Sequence, residues 1–301
     1  MTTYGQLVQQ VRQQLLGFAL NQESMGELSV AMTPSDTTFQ ADGETITNLS
    51  RGLVEIGDEL ILVKKYDETS GTVTVMGGTN GRGYEGTTAA SHDTGELIRS
   101  NPAFPRARIK EAVTQAIATL YPELVVFDSV EITKLAPVIE YELPEAVSDV
   151  WYVTAQLIGP SRVAQPMPDW RYNPKARTEN FPSGKSIQIL NFVTPGQAVK
   201  VVYAKAPSAL TADSDEFTTT GYPERYTDLV VYGACMRLLP ALEPARLQQQ
   251  AIEATERAAL VPPSSAAKAM AMYAQLYAAR LEEERAHQFS DVPNYAFYQG
   301  S

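Results

Sequence analysis

Apolar residues recur at three- and four-residue spacing in five stretches of the chain, and this spacing predicts amphipathic helices. In the first stretch the apolar side chains share one face, with Gln, Arg and Gly between them. Proline marks several of the boundaries, because it is tolerated in the first turn of a helix and ends a helix elsewhere. The predicted helices run from Tyr4 to Phe18, from Pro105 to the residue before Pro122, from Pro223 to Pro240, from Glu243 to Leu260, and from Ser265 to Arg285.

Between these helices the pattern changes to alternating apolar and polar residues, which predicts strands. One such region extends from about Leu28 to Ile98 and contains glycine-rich turns, and a second extends from Val125 to Leu210. Within the second region, residues 159–184 are rich in proline and lack periodicity. That segment is therefore expected to form an exposed loop or an extended arm.

The order of these segments predicts an α+β fold with a helical bundle as its core and inserted antiparallel β modules. One module is expected to be a small β barrel or hairpin unit, and the other a β-sandwich-like sheet. The helices on either side of the first module cannot bury their stripes alone, so they should pack together across it. The predicted domains are 1–27 with 99–124 (helical core, N-terminal part), 28–98 (inserted β module), 125–210 (second β domain), 211–290 (C-terminal helical core) and 291–301 (docking tail).

The composition indicates a globular protein with an acidic surface. Of the 301 residues, 44% are hydrophobic and 20% are charged, and the formal net charge is -11. Such a chain is not expected to grip nucleic acid, because phosphate contacts need clustered Lys and Arg, but DNA could pass it without adhesion. No apolar run approaches the roughly 20 residues that span a bilayer, so no membrane partner is expected. The single cysteine, Cys235, lies in an apolar helical pattern and should be buried.

Candidate catalytic residues are few. His92 lies between Ser91 and Asp93, but neighbours in sequence rarely point at each other, so a hydrogen bond at a turn or strand edge is the simpler interpretation. His287 is expected to be a solvated helix residue, and Glu282-Glu283-Glu284 a solvated helix face rather than a metal site. We therefore expect no catalytic residue, no metal and no cofactor.

Two glycine motifs have the approximate spacing of phosphate-binding loops. Gly81-Arg82-Gly83-Tyr84-Glu85-Gly86 has the dinucleotide spacing, but no helix long enough to span a sheet is predicted directly after it. Gly184-Lys185-Ser186 is similar to the end of a P-loop, yet Glu179 occupies the position of the first glycine, and a carboxylate would repel phosphate. Neither motif predicts a nucleotide site.

The sequence offers more for protein contacts. The last predicted helix is rich in alanine and carries Met270, Tyr273 and Tyr277, which are candidates for a subunit interface, although a self-contained helical bundle would use the same residues. After it comes a tail with three aromatic residues and few charges, which is typical of a docking segment, although a disordered terminus is the alternative. Its candidate docking residues are Val292, Pro293, Tyr295, Phe297 and Tyr298.

The glycine-rich stretch also carries a family resemblance. Residues 83–95 contain Gly-Tyr-Glu-Gly-Thr-Thr-Ala-Ala-Ser-His, they are followed by Asn101-Pro102-Ala103-Phe104-Pro105 at the start of a helix, and Pro223-Glu224-Arg225-Tyr226 comes later. Together these elements resemble the head-to-tail adaptor (connector) proteins of long-tailed bacteriophages. The resemblance spreads over most of the chain, but its motifs are structural, so no binding residue is carried over.

The resemblance implies a virion protein of the phage neck, made in the bacterial cytoplasm. It would form a homo-oligomeric ring, a dodecamer in most such proteins, between the portal protein and a stopper or other tail-side neck protein. The C-terminal tail would reach the portal, and double-stranded DNA would pass through the lumen without sequence-specific binding. An acidic lumen would let that DNA slide.

Two other functions fit parts of the sequence. A tail or baseplate protein is one, since the glycine-rich module also occurs there. A carbohydrate- or receptor-binding β-sandwich is the other, with Trp151 or Trp170 stacking on a sugar. The helical last third is unnecessary for the second function, and an enzyme is the least expected because no reactive constellation is present.

Overall fold

Four α-helices and thirteen strands lie in the part of the chain that the computed structural model describes, which is residues 1–16, 24–42, 51–156, 164–191, 193–241 and 265–290. The helices are α1 (Tyr4–Leu16), α2 (Arg106–Leu120), α3 (Thr227–Leu238) and α4 (Ser265–Ser290). The strands are β1 (Ser24–Glu27), β2 (Thr38–Gln40), β3 (Gly52–Ile56), β4 (Glu59–Asp67), β5 (Thr72–Val75), β6 (Leu97–Ser100), β7 (Val126–Thr133), β8 (Glu140–Glu142), β9 (Asp149–Gln156), β10 (Ala164–Pro166), β11 (Trp170–Asn173), β12 (Ser186–Ile189) and β13 (Ala198–Lys205).

These elements fall into two units. The described residues of the first unit are in 4–116 and 227–278, and those of the second are in 1–3, 117–226 and 279–290. Each unit is assembled from separate segments of the chain. Two of the boundaries between units fall inside helices, one in α2 and one in α4. The domain boundaries drawn from the sequence stay a prediction.

A six-stranded antiparallel sheet dominates the first unit, with the strand order β1-β6-β3-β4-β5-β2. The sheet curls until the residues that follow its two outermost strands meet, where Leu28 and Ala41 form an antiparallel bridge, and this closed, curled sheet is called the barrel below. Around this bridge the Ser29 amide donates to the Gln40 carbonyl at 2.8 Å and the Asp42 amide donates to the Glu27 carbonyl at 3.0 Å. The curled sheet encloses its own apolar cluster, to which every strand except β1 contributes.

Helices α1 and α3 and most of α2 pack within the same unit. The Tyr4 hydroxyl of α1 donates to the Lys110 carbonyl of α2 at 3.0 Å, so these two helices do meet, as the apolar stripes predicted. The middle of α3 approaches α2 closely because Gly233 has no side chain. A Cβ atom at Gly233 would lie 3.3 Å from the Cβ of Ala116.

The second unit contains two antiparallel sheets that share one apolar cluster. The four-stranded sheet has the order β10-β9-β13-β7, and the three-stranded sheet has the order β11-β12-β8. Val153 and Val201 from the larger sheet and Ile187 from the smaller one are fully buried in the same cluster. The members of this cluster include Val153 and Ala155 of β9 and Val199, Val201 and Tyr203 of β13, which are spaced by two within each strand and therefore share one face of the sheet.

The predicted fold class, a helical-bundle core with inserted β modules, is wrong. The described residues contain three sheets built from thirteen strands, and each sheet region buries an apolar cluster of its own. The β regions therefore supply cores and are not decorations on a bundle. Helical periodicity showed that each helix has a buried face, but it could not show that this face is buried in a largely β protein.

Helix α4 differs most from its predicted role. The sequence predicted one buried stripe of residues 267, 270, 274, 277 and 281, whereas the buried side chains are those of Ala269, Tyr273, Glu284 and Gln288. Alanine on several faces makes the period ambiguous, and the real stripe includes two polar residues that find partners far away in sequence.

Two other segment predictions need comment. The segment 159–184 is not a loop throughout, because Trp170–Asn173 forms β11 and pairs with β12, while residues 157–163 are outside the described chain. A four-residue strand paired with a distant partner has too short an alternating pattern to recognise. The predicted helix from Glu243 to Leu260 also falls outside the described residues.

Candidate functional site

A buried ion cluster lies at the centre of the glycine-rich module. Glu59, the first residue of β4, pairs with Arg82 through two contacts, 2.7 Å from Nε to Oε1 and 2.9 Å from Nη2 to Oε2. The backbone amides of Gly83 and Ala90 also donate to this carboxylate, at 2.9 and 3.0 Å. The Arg82 and Glu59 side chains are 1% and 0% exposed. Four donors therefore compensate for the removal of this carboxylate from water.

His92 completes the cluster. Its Nε2 lies 2.9 Å from Glu59 Oε2, and its Nδ1 lies 2.9 Å from Glu96 Oε2. The backbone of His92 is held by two hydrogen bonds with Met32, both 2.9 Å long. The imidazole of His92 thus bridges the carboxylates of Glu59 and Glu96, while its backbone pairs with Met32. Hydrogen bonding of this kind is the structural role that the sequence favoured for His92.

The pKa values of these groups follow from their surroundings. Burial would raise the pKa of Glu59, but hydrogen bonds from Arg82, His92 and two backbone amides outweigh it and lower that pKa from 4.5 to about 2. Burial would lower the pKa of His92, and the hydrogen bonds to Glu59 and Glu96 outweigh it, so the pKa of His92 is raised above 6.5. Both shifts favour the charged forms.

This geometry makes the module a structural tie. Arg82 also donates to the carbonyls of Thr33 and Ala90, each at 2.7 Å, so its guanidinium joins three separate parts of the barrel. Gly83 has a left-handed backbone with φ of 57°, and a Cβ there would lie 2.7 Å from the Thr87 carbonyl oxygen. The arginine, the glycine and the histidine are therefore required to close the barrel and do not surround a space for a substrate.

A second buried carboxylate, that of Glu55, joins the barrel to two helices, and it was not among the residues singled out from the sequence. Glu55 of β3 accepts from Arg12 of α1 at 2.8 Å and from Arg99 of β6 at 3.1 Å. Its other oxygen accepts from the backbone amide of Arg106, the first residue of α2, at 2.5 Å. The sequence does contain a signal for this pair. Glu55 is a charged residue within the apolar pattern of a predicted strand, and Arg12 is a charged residue beside the apolar stripe of the first predicted helix.

The C-terminal part of α4 is tied down in the second unit by polar contacts. Glu284 is 1% exposed and binds Arg225 at 2.7 Å and Arg280 at 2.6 Å. Gln288 donates to the Val125 carbonyl at 2.7 Å. The interpretation of residues 282–284 as one solvated face therefore holds for Glu282 and Glu283 but is wrong for Glu284, because only helix geometry directs it inward.

The candidate interface residues have different positions. Met270 is 37% exposed, whereas Tyr273 is buried and its hydroxyl donates to Gln14 of α1 at 3.0 Å. Tyr277 is half-buried and lies beside Gly233. The docking residues Val292, Pro293, Tyr295, Phe297 and Tyr298 lie outside the described residues. The interface and docking assignments stay predictions.

The glycine motifs do not form phosphate sites. Residues 78–86 contain two short 3-10 helices and an extended connection follows, so no helix opens there to receive a dinucleotide. Lys185 donates from Nζ to the Val147 carbonyl at 2.5 Å, and its ammonium is thus committed to a backbone contact. Within the described chain, no group of three or more His, Cys, Asp or Glu residues has a geometry that could hold a metal ion.

The remaining candidates are also structural. Cys235 is buried in α3, and burial raises the pKa of its thiol to about 12. Trp151 packs edge-on against Phe127, with ring centroids 4.7 Å apart, and Trp170 packs against the shared apolar cluster of the two sheets. An open cleft of about 320 Å³ beside α2 is lined by Asp58, Glu85 and Glu111 among others, and Asp58 is already paired with Arg106 and Lys110.

None of the helices in the described ranges has the length and apolar character that a bilayer crossing requires.

A comparison with protein families identifies one that matches this chain. The model of the SU10 adaptor protein family matches residues 87–295, which is more than half of the chain, while no curated protein matches. The matched region begins inside the glycine-rich module and extends past α4. The chain belongs to the SU10 adaptor protein family and is accordingly a structural adaptor protein of a phage virion.

Proposed function

We propose that this adaptor protein forms a closed ring, a dodecamer, between the portal protein and the tail-side neck protein of a phage. The family match supports an adaptor role, and the exposed apolar side chains of α4 support assembly into a ring. In this proposal the copies contact one another along their helices and DNA passes through the central channel. The function is assembly, and no covalent chemistry is involved.

The observation that carries the ring proposal is the uncharged face of α4. Residues 269–279 contain no charged side chain over about three turns, although charged residues make up 20% of the whole chain. On this segment Met272 is 52% exposed and Leu276 is 41% exposed. An exposed apolar face on a long helix is typical of a surface that another subunit covers.

Met270 is a further exposed residue of this segment, but it lies on the opposite flank of α4 from Met272 and Leu276, and Tyr273 and Tyr277 lie on the inner side between the two flanks. Because Tyr273 is fixed by Gln14 and lies 5.9 Å from the ring of Tyr232, the helix is held in one orientation. A fixed helix loses little conformational entropy on binding, which favours a specific contact.

The portal contact is assigned to the C-terminal tail, residues 291–301. Its support is the composition, with three aromatic residues and few charges after a helix anchored through Glu284 and Gln288. Aromatic side chains supply most of the binding energy in many interfaces. Deletion of the tail is expected to abolish attachment to the portal while leaving the fold intact.

The channel assignment is supported by the charge of the chain. A ring of copies that each carry a net charge of -11 would repel phosphates and let DNA move through without adhesion. Purified rings should therefore not retard duplex DNA in a gel at physiological salt. Tight binding under those conditions would contradict the channel proposal.

The variant Met272→Glu/Leu276→Glu tests the ring proposal itself. Placing two carboxylates on the α4 face of every copy should leave the circular dichroism spectrum unchanged and prevent ring formation with the portal. A matched control is Lys268→Glu, an exposed charge change at the start of the same helix, which should still give rings. Rings formed by the double variant would rule out α4 as the contact.

A further inference from the structure

Strand β7 lies at the edge of the four-stranded sheet, and among the described strands it pairs with β13 alone. Its residues turn their backbone groups alternately toward β13 and away from it, as in any antiparallel pair. Just past the strand, the Lys134 amide donates to the Gln197 carbonyl at 2.9 Å and the Lys134 carbonyl accepts from the Gly196 amide at 2.7 Å. The even-numbered residues of β7 therefore face β13, and the odd-numbered residues face outward.

Side chains close both ends of this outer edge. At the start, the Gln288 side chain of α4 accepts from the Val125 amide at 3.4 Å and donates to the Val125 carbonyl at 2.7 Å, as a neighbouring strand would. At the far end, the Tyr141 hydroxyl accepts from the Leu135 amide at 3.0 Å. The two closures leave the stretch 127–133 between them.

The backbone of that stretch is available for pairing. The Ser129 amide donates to the carboxylate of its neighbour Asp128 at 2.8 Å. Within the described chain, no hydrogen bond reaches the outward backbone groups of Phe127, Glu131 or Thr133. A strand edge of this kind accepts a further extended segment through main-chain hydrogen bonds.

The side chains of β7 define which segment fits. Val130 and Ile132 lie on the inner face, where they pack against the shared apolar cluster but are only partly buried. Neighbouring strands place paired side chains on the same face of a sheet. A segment with apolar residues spaced by two would therefore cover Val130 and Ile132 and extend the cluster by one strand.

The C-terminal tail of the same chain has the required starting point, length and pattern. Gln288 lies against Val125, so a chain that continues from it along the edge runs parallel to β7. The edge from Val125 to Val130 is about 17 Å long at about 3.3 Å per residue, and residues 291–295 span a similar length when extended. Tyr295 and Phe297 are spaced by two, and they would reach the positions beside Val130 and Ile132.

The composition of the tail also fits this edge. Residues 292–301 carry no charged side chain, so none of them repels the carboxylate of Glu131. Pro293 precedes the aromatic residues, and proline is tolerated at the start of an edge strand.

We infer that residues 294–298 add a parallel strand to the outer edge of β7 in their own chain, with Tyr295 and Phe297 against Val130 and Ile132. This pairing exists in the subunit before assembly. The portal protein then takes the tail from β7, a step that rests on the proposed function.

Residue-resolved hydrogen exchange of the purified full-length protein without portal tests the pairing. In wild type the amides of Glu131 and Thr133 should exchange at least about tenfold more slowly than in Tyr295→Ser/Phe297→Ser, because the variant lacks the side chains that cover the cluster. The matched control is Asn294→Ser/Tyr298→Ser, which changes the opposite face of the added strand and should exchange like wild type.

Three results would overturn the pairing. They are equal exchange in wild type and in Tyr295→Ser/Phe297→Ser, equal loss of protection in the two double variants, and protection that disappears on dilution. The last result would assign the edge to the tail of another copy.

Addition of the purified cognate portal protein tests the release step separately. Exchange at Glu131 and Thr133 should then rise to the rate of Tyr295→Ser/Phe297→Ser. Unchanged protection with the portal bound would contradict the release of the tail to the portal, whereas the measurement without portal decides the pairing by itself.

Discussion

Arg82 and Glu59 form a two-point ion pair inside the curled six-stranded sheet, with both side chains sealed from solvent. The pair joins β4 to the glycine-rich segment that precedes β6, and His92 and two backbone amides complete it. It explains why an arginine, a glycine and a histidine occur together in a segment whose spacing superficially matches a nucleotide-binding loop. They hold the barrel closed.

Removal of the Glu59 charge should therefore destabilise the barrel strongly. In Glu59→Gln the guanidinium of Arg82 stays buried without a counterion, which costs about 3–5 kcal/mol. Urea unfolding measures the loss in the free energy of unfolding. Hydrogen exchange at the amides of residues 82–96 shows whether protection is lost in this segment. Glu68→Gln, at an exposed glutamate of the same unit, is the control and should change stability by less than about 0.5 kcal/mol. Equal unfolding midpoints for the two variants would contradict the role of the pair.

The same cluster predicts a pH dependence. The pKa of His92 is raised above 6.5 in the fold, so its contribution to stability is complete below about pH 6.5 and is lost as the pH rises through the folded-state value. The pKa of Glu59 is lowered from 4.5 to about 2, so its contribution is present above about pH 4.5 and is lost as the pH falls toward 2. The cluster should stabilise the fold most between these limits.

The comparison of wild type with His92→Gln measures that dependence. The difference in unfolding free energy between the two proteins should be larger near about pH 5.5 than near about pH 9, since the charged ring exists mainly at the lower pH. A difference that does not vary over this interval would show that His92 acts through its shape alone.

Two glycines of the module allow a matched test of backbone crowding. Gly83 and Gly86 both have left-handed backbones, with φ of 57° and 83°, so alanine is disfavoured at either position by about 1–2 kcal/mol. Only at Gly83 does the new Cβ meet backbone, 2.7 Å from the Thr87 carbonyl oxygen and 3.0 Å from the Ala89 amide nitrogen, whereas nothing lies within 4 Å at Gly86. Gly83→Ala should therefore lower the unfolding midpoint clearly more than Gly86→Ala. Equal thermal unfolding midpoints for the two variants would contradict the close contact of Gly83 with the backbone of Thr87 and Ala89.

Cys235 provides a reporter of α3. Because burial raises the pKa of its thiol to about 12 and encloses the side chain, the thiolate that reacts is both rare and inaccessible. Labelling with a thiol reagent at neutral pH should be at least about a hundredfold slower in the native protein than in urea. Similar rates in both conditions would show that α3 is not packed as described.

Local features of the fold could be predicted where the information is local. The strand pair β3 and β4 follows from alternation on either side of the Gly57-Asp58 turn, and α2 follows from an apolar stripe between Pro105 and Pro122. What sequence periodicity could not supply is long-range pairing. Strand β7 lies beside β13, where Val126 is paired with Lys205, and no local pattern records that choice. The number and extent of the sheets, and with them the fold class, depended on such pairings.

The buried carboxylates were missed for a related reason. Glu55 is tolerated in the interior only because Arg12 is its partner, and these residues are 43 positions apart. A glutamate in a strand is on average exposed, so the burial of Glu55 can be inferred only once Arg12 is known to lie beside it. By contrast, the structural interpretation of His92 could be reached from sequence, because its neighbours Ser91 and Asp93 could not form a reactive group with it.

The most direct test of the ring proposal is cryo-electron microscopy of the purified protein, alone and mixed with the cognate portal protein. Our account predicts a closed ring of identical subunits, twelve in number, seated on the portal, with α4 of each copy against a neighbour. Single copies bound separately to the portal, or a protein that stays monomeric and does not bind it, would contradict the account.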